Sequence, residues 1–108
     1  MARIAAIVPE LMFASRIVAT LGAAGHEVMV VSTVEALDAG GTRPELLIAD
    51  LGELDPEPLG ARAEPVLGFY SHVDVETRRR AEAAGVDMIV PRSRMAREMP
   101  ELVDSLLT

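Results

Sequence analysis

Apolar residues run almost unbroken through residues 3–8 (RIAAIV) and stop at Pro9, the pattern of a strand buried on both faces. Over residues 10–24 the period lengthens. Phe13, Ala14, Ile17, Val18, Leu21 and Ala24 recur at helical spacing, and Gly25 follows as a stop. The alternation then repeats. Residues 26–32 (HEVMVVS) predict a second strand, 34–39 a short helix closed by Gly40-Gly41, and 45–49 a third strand ending at Asp50. Residues 65–70 predict a fourth strand, 74–84 a helix stopped by Gly85, and 86–90 a fifth strand. The C-terminus carries Met95, Met99, Leu102, Val103 and Leu106 on one helical stripe; with Pro100 placed in the first turn, this helix starts near Met99 and the residues before it read as turn or coil. The stretch LGELDPEPLGARAE after Asp50 has little helical period, so a third helix is short or missing. Apolar strands alternating with helices predict an α/β fold with a parallel sheet covered on both faces.

Composition narrows the picture. The chain has 108 residues, half of them hydrophobic and a quarter charged, which excludes disorder and fits one domain spanning 1–108. No apolar run nears the roughly 20 residues of a membrane-spanning helix, and the N-terminal apolar segment is too short for a signal peptide and lacks a cleavage pattern; a cytoplasmic location is expected. Absence of cysteine excludes disulfides, thiolate nucleophiles and most structural zinc sites. A formal charge of −7 opposes binding to nucleic acid or anionic membrane. All ten basic residues are arginine, and lysine, asparagine and glutamine are missing. No Gly-x-Gly-x-x-Gly follows the first strand, which disfavours dinucleotide binding. The six methionines read as flexible core filler.

In open parallel sheets, chemistry gathers outside the carboxyl ends of the strands. The residues there are Pro9 and Glu10 after the first strand, Asp50 to Gly52 after the third, Tyr70 to His72 after the fourth, and Pro91 to Ser93 after the fifth. Two carboxylates on adjacent strands, Glu10 and Asp50, suit a hard divalent cation such as magnesium.

At these positions the chain resembles the receiver domain of bacterial response regulators, the CheY-like module of two-component signalling and phosphorelays. The resemblance rests on Glu10 after the first strand, on a first helix with Arg16-Ile17-Val18 that ends Gly25-His26-Glu27-Val28, and on Pro44-Glu45-Leu46-Leu47-Ile48-Ala49-Asp50-Leu51. Pro65-Val66-Leu67 and Ala81-Glu82-Ala83-Ala84-Gly85-Val86-Asp87, similar to the family's A-x-x-A-G-A-D segment, complete it. It implies a flavodoxin-like (βα)5 fold with strand order 2-1-3-4-5, with Asp50 as phosphoacceptor and magnesium held by Glu10 and Asp50. By position, the hydroxyl that contacts the phosphoryl group falls on Tyr70 with Ser71 next, and the lysine that contacts it falls on Arg92. Three departures stand out: Pro9 replaces one metal-binding acid, Arg92 replaces the lysine, and Ile89 replaces the aromatic switch residue of the fifth strand. A planar guanidinium does not substitute for a compact ammonium in a tight anionic pocket.

Simpler readings stand beside these. Asp50 next to Gly52 also fits an Asx-turn, and Glu10 also fits an acid favoured by a helix dipole. For Ser71-His72-Val73-Asp74, a helix N-cap on Asp74 outweighs a catalytic triad, since no nucleophile-elbow pattern surrounds the serine. His26 reads as a surface turn residue. Arg78-Arg79-Arg80 reads either as a solvated face paired with Glu76 and Glu82 or, with Arg92, Arg94 and Arg97, as a contact surface. Residues 65–108 carry six arginines against seven acids, whereas residues 1–64 carry four against ten. In receivers, the face formed by the fourth helix, fifth strand and fifth helix is the usual dimerisation and output surface, so the resemblance implies a homodimer or protein partner there. Leu106-Leu107-Thr108 ends the last helix without a linker, as expected of a stand-alone domain. The expected function is a non-enzymatic, phosphorylation-independent pseudo-receiver with no cofactor. The alternatives are an atypical active receiver phosphorylated on Asp50 by a histidine kinase, with magnesium, and a flavodoxin-like small-ligand binder or enzyme.

Overall fold

Five strands pair in parallel in a single sheet of order β2-β1-β3-β4-β5: β1 (Arg3–Ile7), β2 (Glu27–Val31), β3 (Leu46–Asp50), β4 (Val66–Tyr70) and β5 (Met88–Pro91). The structure, a computed structural model, describes residues 2–41 and 43–108. This is the expected flavodoxin-like sheet. Its register sets Asp50 opposite Phe69, and Tyr70 opposite Pro91, so the carboxyl ends of the central strands finish along one edge.

Successive strand residues face opposite sides of a sheet. Ile4, Ala6, Leu46 and Ile48 therefore join a core on one side, while Ala5, Ile7, Leu47 and Ala49 join a core on the other. Both sets are buried, which is why these strands read as unbroken apolar runs. On the first side lie α1 (Leu11–Ala23) and α5 (Arg92–Leu107), which bring in Phe13, Ile17, Leu21, Met95, Met99 and Val103. The second side is covered by α2 (Val34–Ala39), α3 (Pro56–Gly60) and α4 (Val75–Ala84), which bring in Leu37, Leu59 and Ala81.

Local chemistry sets the helix limits. Thr33, Asp55 and Asp74 cap α2, α3 and α4 by accepting backbone N–H bonds from Ala36, Glu57 and Thr77. Gly85 ends α4 in the left-handed region at φ 87°, where a side chain would be strained. The segment after Asp50 does hold a third helix, of five residues, begun by Pro56 at its first position.

Two expectations need correction. The C-terminal helix begins at Arg92, seven residues before Met99, and it bends at Glu98 (φ −119°, ψ 20°). Pro100 cannot donate an N–H to the preceding turn, and its ring crowds the residue before it. The first segment is nonetheless helical: it buries Met95 and carries an Arg94–Glu98 pair at i,i+4 spacing. His26 is not a surface turn residue. It is half-buried, its Nδ1 accepts the Ala2 N–H at 3.1 Å, and its Nε2 lies 3.9 Å from the Asp104 carboxylate. The imidazole thus links the start of β1 to the end of α5.

Candidate functional site at the carboxyl edge of the sheet

The chain leaves β1 through Pro9 and enters α1 at Glu10, whose extended backbone (φ −78°, ψ 117°) makes it the N-cap. Its carboxylate accepts the Met12 N–H at 2.6 Å and the Phe13 N–H at 3.1 Å. Arg92, the first residue of α5, donates from Nη2 to the same carboxylate at 3.0 Å. The Met12 N–H above all, then the Phe13 N–H and Arg92, hold the Glu10 carboxyl below the usual glutamate range. The dipole reading of Glu10 is thereby joined by a direct capping bond.

Arg92 does a second job. Its guanidinium lies over the Phe13 ring, 4.3 Å from the centroid, and 5.8 Å from the Phe69 centroid, a cation–π arrangement. Phe13 and Phe69 meet at 4.9 Å with a 60° tilt, within the range of favourable aromatic pairs. Arg92 therefore ties α1 to α5 above the ends of β1 and β4. Sequence reasoning placed Phe13 only in the core. The usable signal was that two of the chain's three aromatic residues, Phe13 and Phe69, both fall at this edge.

Asp50 ends β3 and is 7% exposed. Its Oδ1 accepts the Gly52 N–H at 3.0 Å, which realises the Asx-turn reading. Burial raises the Asp50 carboxyl above the usual aspartate value, opposed by the Gly52 N–H and the positive charge of Arg92. Tyr70 stands apart. Its ring is buried in the core on the α2–α4 side, and among the described residues it has no hydrogen bond to Glu10, Asp50 or Arg92. Ser71 and His72 do reach the edge, where they line an open groove of about 530 Å³ with Arg92 and Ser93. The Asp74 carboxylate is occupied by the N–H and hydroxyl of Thr77, so no Ser-His-Asp triad is formed.

The donor set is a poor fit for magnesium. Pro9 offers no side-chain oxygen, both Glu10 oxygens already accept hydrogen bonds, and one Asp50 oxygen is held by Gly52. Among the described residues no three carboxylates or histidines converge as a metal cluster. A hard cation prefers several free oxygens.

The arginine-rich stretch is partly self-neutralised. Arg78 pairs with Glu82 at 3.3 Å, Arg80 with Asp55 at 3.7 Å, and both Arg94 (3.3 Å) and Arg97 (3.0 Å) with Glu98. Glu82 is one of the two acids expected to pair with this run; Glu76, the other, makes no ion pair among the described residues. Asp55, on the loop before α3, was not expected.

No protein-family model matches the sequence, and no curated protein matches it. Solved structures do. The receiver domain of the TMAO respiratory system response regulator TorR superposes with a TM-score of 0.86 at 18% identity, covering 99% of this chain and 97% of that one. The chemotaxis response regulator CheY4 of Vibrio cholerae gives 0.81 at 16% identity, covering 99% of each chain. NtrX from Brucella abortus gives 0.80 at 21% identity; 98% of this chain is covered, but the chain spans about a quarter (26%) of NtrX. The protein described here thus has the fold of a response-regulator receiver domain, in the CheY-like form of the flavodoxin-like architecture.

Proposed function

We propose that the chain is a signalling module that binds other proteins without enzymatic turnover and without a cycle of aspartyl phosphorylation. The observation that carries this reading is the Arg92–Glu10 pair. An aspartyl phosphate concentrates negative charge that a metal and a compact cation must neutralise. In this chain the residue at the lysine place is a guanidinium bonded to Glu10 and stacked on Phe13, and the acid at the metal place caps α1 with both oxygens. Turning the Glu10 carboxylate to a metal would give up the cap of α1 and the bond to Arg92. The reading takes residues 1–108 as one cytoplasmic domain; no helix among the described residues is long and apolar enough to cross a membrane.

The partner surface on this reading is the face of α4, β5 and α5, with Arg78, Arg79, Arg80, Arg94 and Arg97. Arg79 has no ion-pair partner among the described residues, and one carboxylate, Glu98, serves two arginines. Arg79 is thus available for a carboxylate of an acidic protein or of a second copy of this acidic chain.

Paired amide NMR spectra with and without magnesium and beryllofluoride, a mimic of the phosphoryl group, test the reading. The expected result is no shift at Glu10, Asp50 or Arg92 in a well-folded sample. Shifts centred on those residues would overturn it in favour of an atypical active receiver with Asp50 as acceptor and Ser71 or Arg92 at the phosphoryl group. That alternative is favoured by the buried Asp50 carboxyl at the end of β3. Replacing Arg78, Arg79 and Arg80 with glutamate should abolish association; unchanged association would remove this surface.

A further inference from the structure

The groove at the carboxyl edge lies between α1, the loop after β4 and the start of α5, and Asp50 does not line it. Its volume of about 530 Å³ is that of a small-molecule site. Its wall is mixed: Met12, Phe13 and Ala96 supply apolar surface, and Arg16 and Arg92 supply guanidinium groups. Arg92 uses Nη2 on Glu10 and one face on Phe13, while its Nε and Nη1 have no acceptor among the described residues. Arg16 has no ion-pair partner among the described residues. Among the lining residues, two guanidinium groups against one carboxylate, Glu10, leave one net positive charge, and the Asp50 carboxylate outside the lining, which also feels Arg92, opposes a second negative charge there. Of the large apolar side chains that the chain exposes, Met12 (82%) lines the groove.

We infer that this groove binds a small organic carboxylate with an apolar body, its carboxylate held by Arg16 and Arg92 and its body laid on Met12 and Ala96. A guanidinium fork matches the two oxygens of a carboxylate. A monoanion balances the groove's single excess charge, whereas a dianion sets a second charge against Glu10. The inference does not depend on phosphorylation or on the α4–β5–α5 face, so it stands or falls apart from the proposed function.

Benzoate at neutral pH is the probe, followed by amide NMR titration of the full chain. Acetate supplies the charge without the body, benzyl alcohol the body without the charge, and phenyl phosphate a second charge. The expected result is saturable shifts with benzoate at Phe13, Arg16, Ser71 and Arg92, and only weak, non-saturating shifts with acetate and benzyl alcohol. Phenyl phosphate should bind no more tightly than benzoate. Arg16→Ala, on the exposed face of α1, should weaken benzoate about tenfold, the factor set by about 1.4 kcal/mol; Arg79→Ala, away from the groove, should not. Met12→Ser should weaken benzoate while leaving acetate unchanged. The inference is overturned by any of three results: no saturable benzoate shift at tens of millimolar, benzoate binding that survives Arg16→Ala, or acetate binding as tightly as benzoate. Tighter binding of phenyl phosphate would overturn its restriction to monoanions.

Discussion

The two sides of the sheet are covered in different ways. On one side α1 and α5, 13 and 16 residues long, lay periodic stripes of large side chains on the strands. On the other, α2, α3 and α4 have 6, 5 and 10 residues, and part of the covering is done by backbone close to backbone. A Cβ built on Gly60 would lie 1.8 Å from the Ala84 carbonyl oxygen, so α3 sits against the end of α4 with no room for a side chain. The first side is held by side-chain volume and the second partly by its absence. The edge residues Glu10, Phe13 and Arg92 belong to the first side, which makes that side both the sturdier wall and the one that carries the candidate site.

A large-to-small change on the first side should have the largest effect. Ile17 is fully buried between α1 and the sheet, so Ile17→Ala removes packing and leaves a cavity, at a cost of about 3 kcal/mol. Urea unfolding should show a lower midpoint with an unchanged slope. A small-to-large change at Gly60, on the second side, should do comparable harm. Gly60→Ala must push α3 away from a backbone carbonyl, which costs about 2 kcal/mol; hydrogen exchange should quicken first in α3 and α4. If Gly60→Ala were neutral, the contrast between the two sides would collapse.

The same contrast decides what could be read from the sequence. The strand positions, the ends of α1 and α4, and Asp74 as a cap follow from period and from single strong signals such as Gly25 and Gly85, whereas the strand order was implied only by the resemblance to receiver domains. The third helix, known in advance only as short or missing, forms because Asp55, Pro56 and the close fit of Gly60 act together, and no periodic stripe announces that. The start of α5 was hidden for the opposite reason: Pro100 is a strong local signal, but burial of Met95 and Met99 on the α1 side outweighs it and leaves only a bend. At the site, Glu10, Asp50, Arg92 and Ser71 were legible as strand-end residues, and the structure brings Glu10, Ser71 and Arg92 to one groove. Tyr70, the residue on which the hydroxyl place falls by counting, has its ring buried in the core on the α2–α4 side. The stack of Arg92 on Phe13 joins residues 79 positions apart and leaves no mark in sequence spacing.

A smaller effect tests whether α1 and α5 are fastened at the edge as well as packed below it. Arg92→Ala removes the guanidinium from Phe13, a loss of about 0.5–1 kcal/mol for a partly exposed cation–π contact, and also frees Glu10. Arg92→Lys keeps a charge within reach of Glu10 but lacks the planar group that lies on the ring, so it should recover only part of the loss. Full recovery by lysine would assign the fastening to charge alone.

The smallest effect is carried by the acids of the edge, whose pH dependences have opposite signs. Burial raises the folded Asp50 carboxyl above 3.8, its value as an ordinary aspartate. The folded state then binds a proton more readily than the unfolded state, so stability falls as pH rises from about 3.8 through the raised value, and the penalty is complete above it. Asn at this position keeps an oxygen for the Gly52 N–H and carries no charge. Asp50→Asn should therefore be more stable than the parent at pH 7, by on the order of 0.5 kcal/mol, and the two should converge as pH falls toward 3.8. Glu10 runs the other way. The Met12 N–H, together with the Phe13 N–H and Arg92, holds its folded value below 4.5, so its contribution is present above pH 4.5 and is lost as pH falls through the lowered value. Glu10→Gln should be less stable than the parent at pH 7 and converge with it on acidification. Paired unfolding curves across pH 3–7 separate the two. If both variants shifted in the same direction, the buried acid of β3 and the capping acid of α1 would not have the distinct electrostatic roles that their surroundings assign.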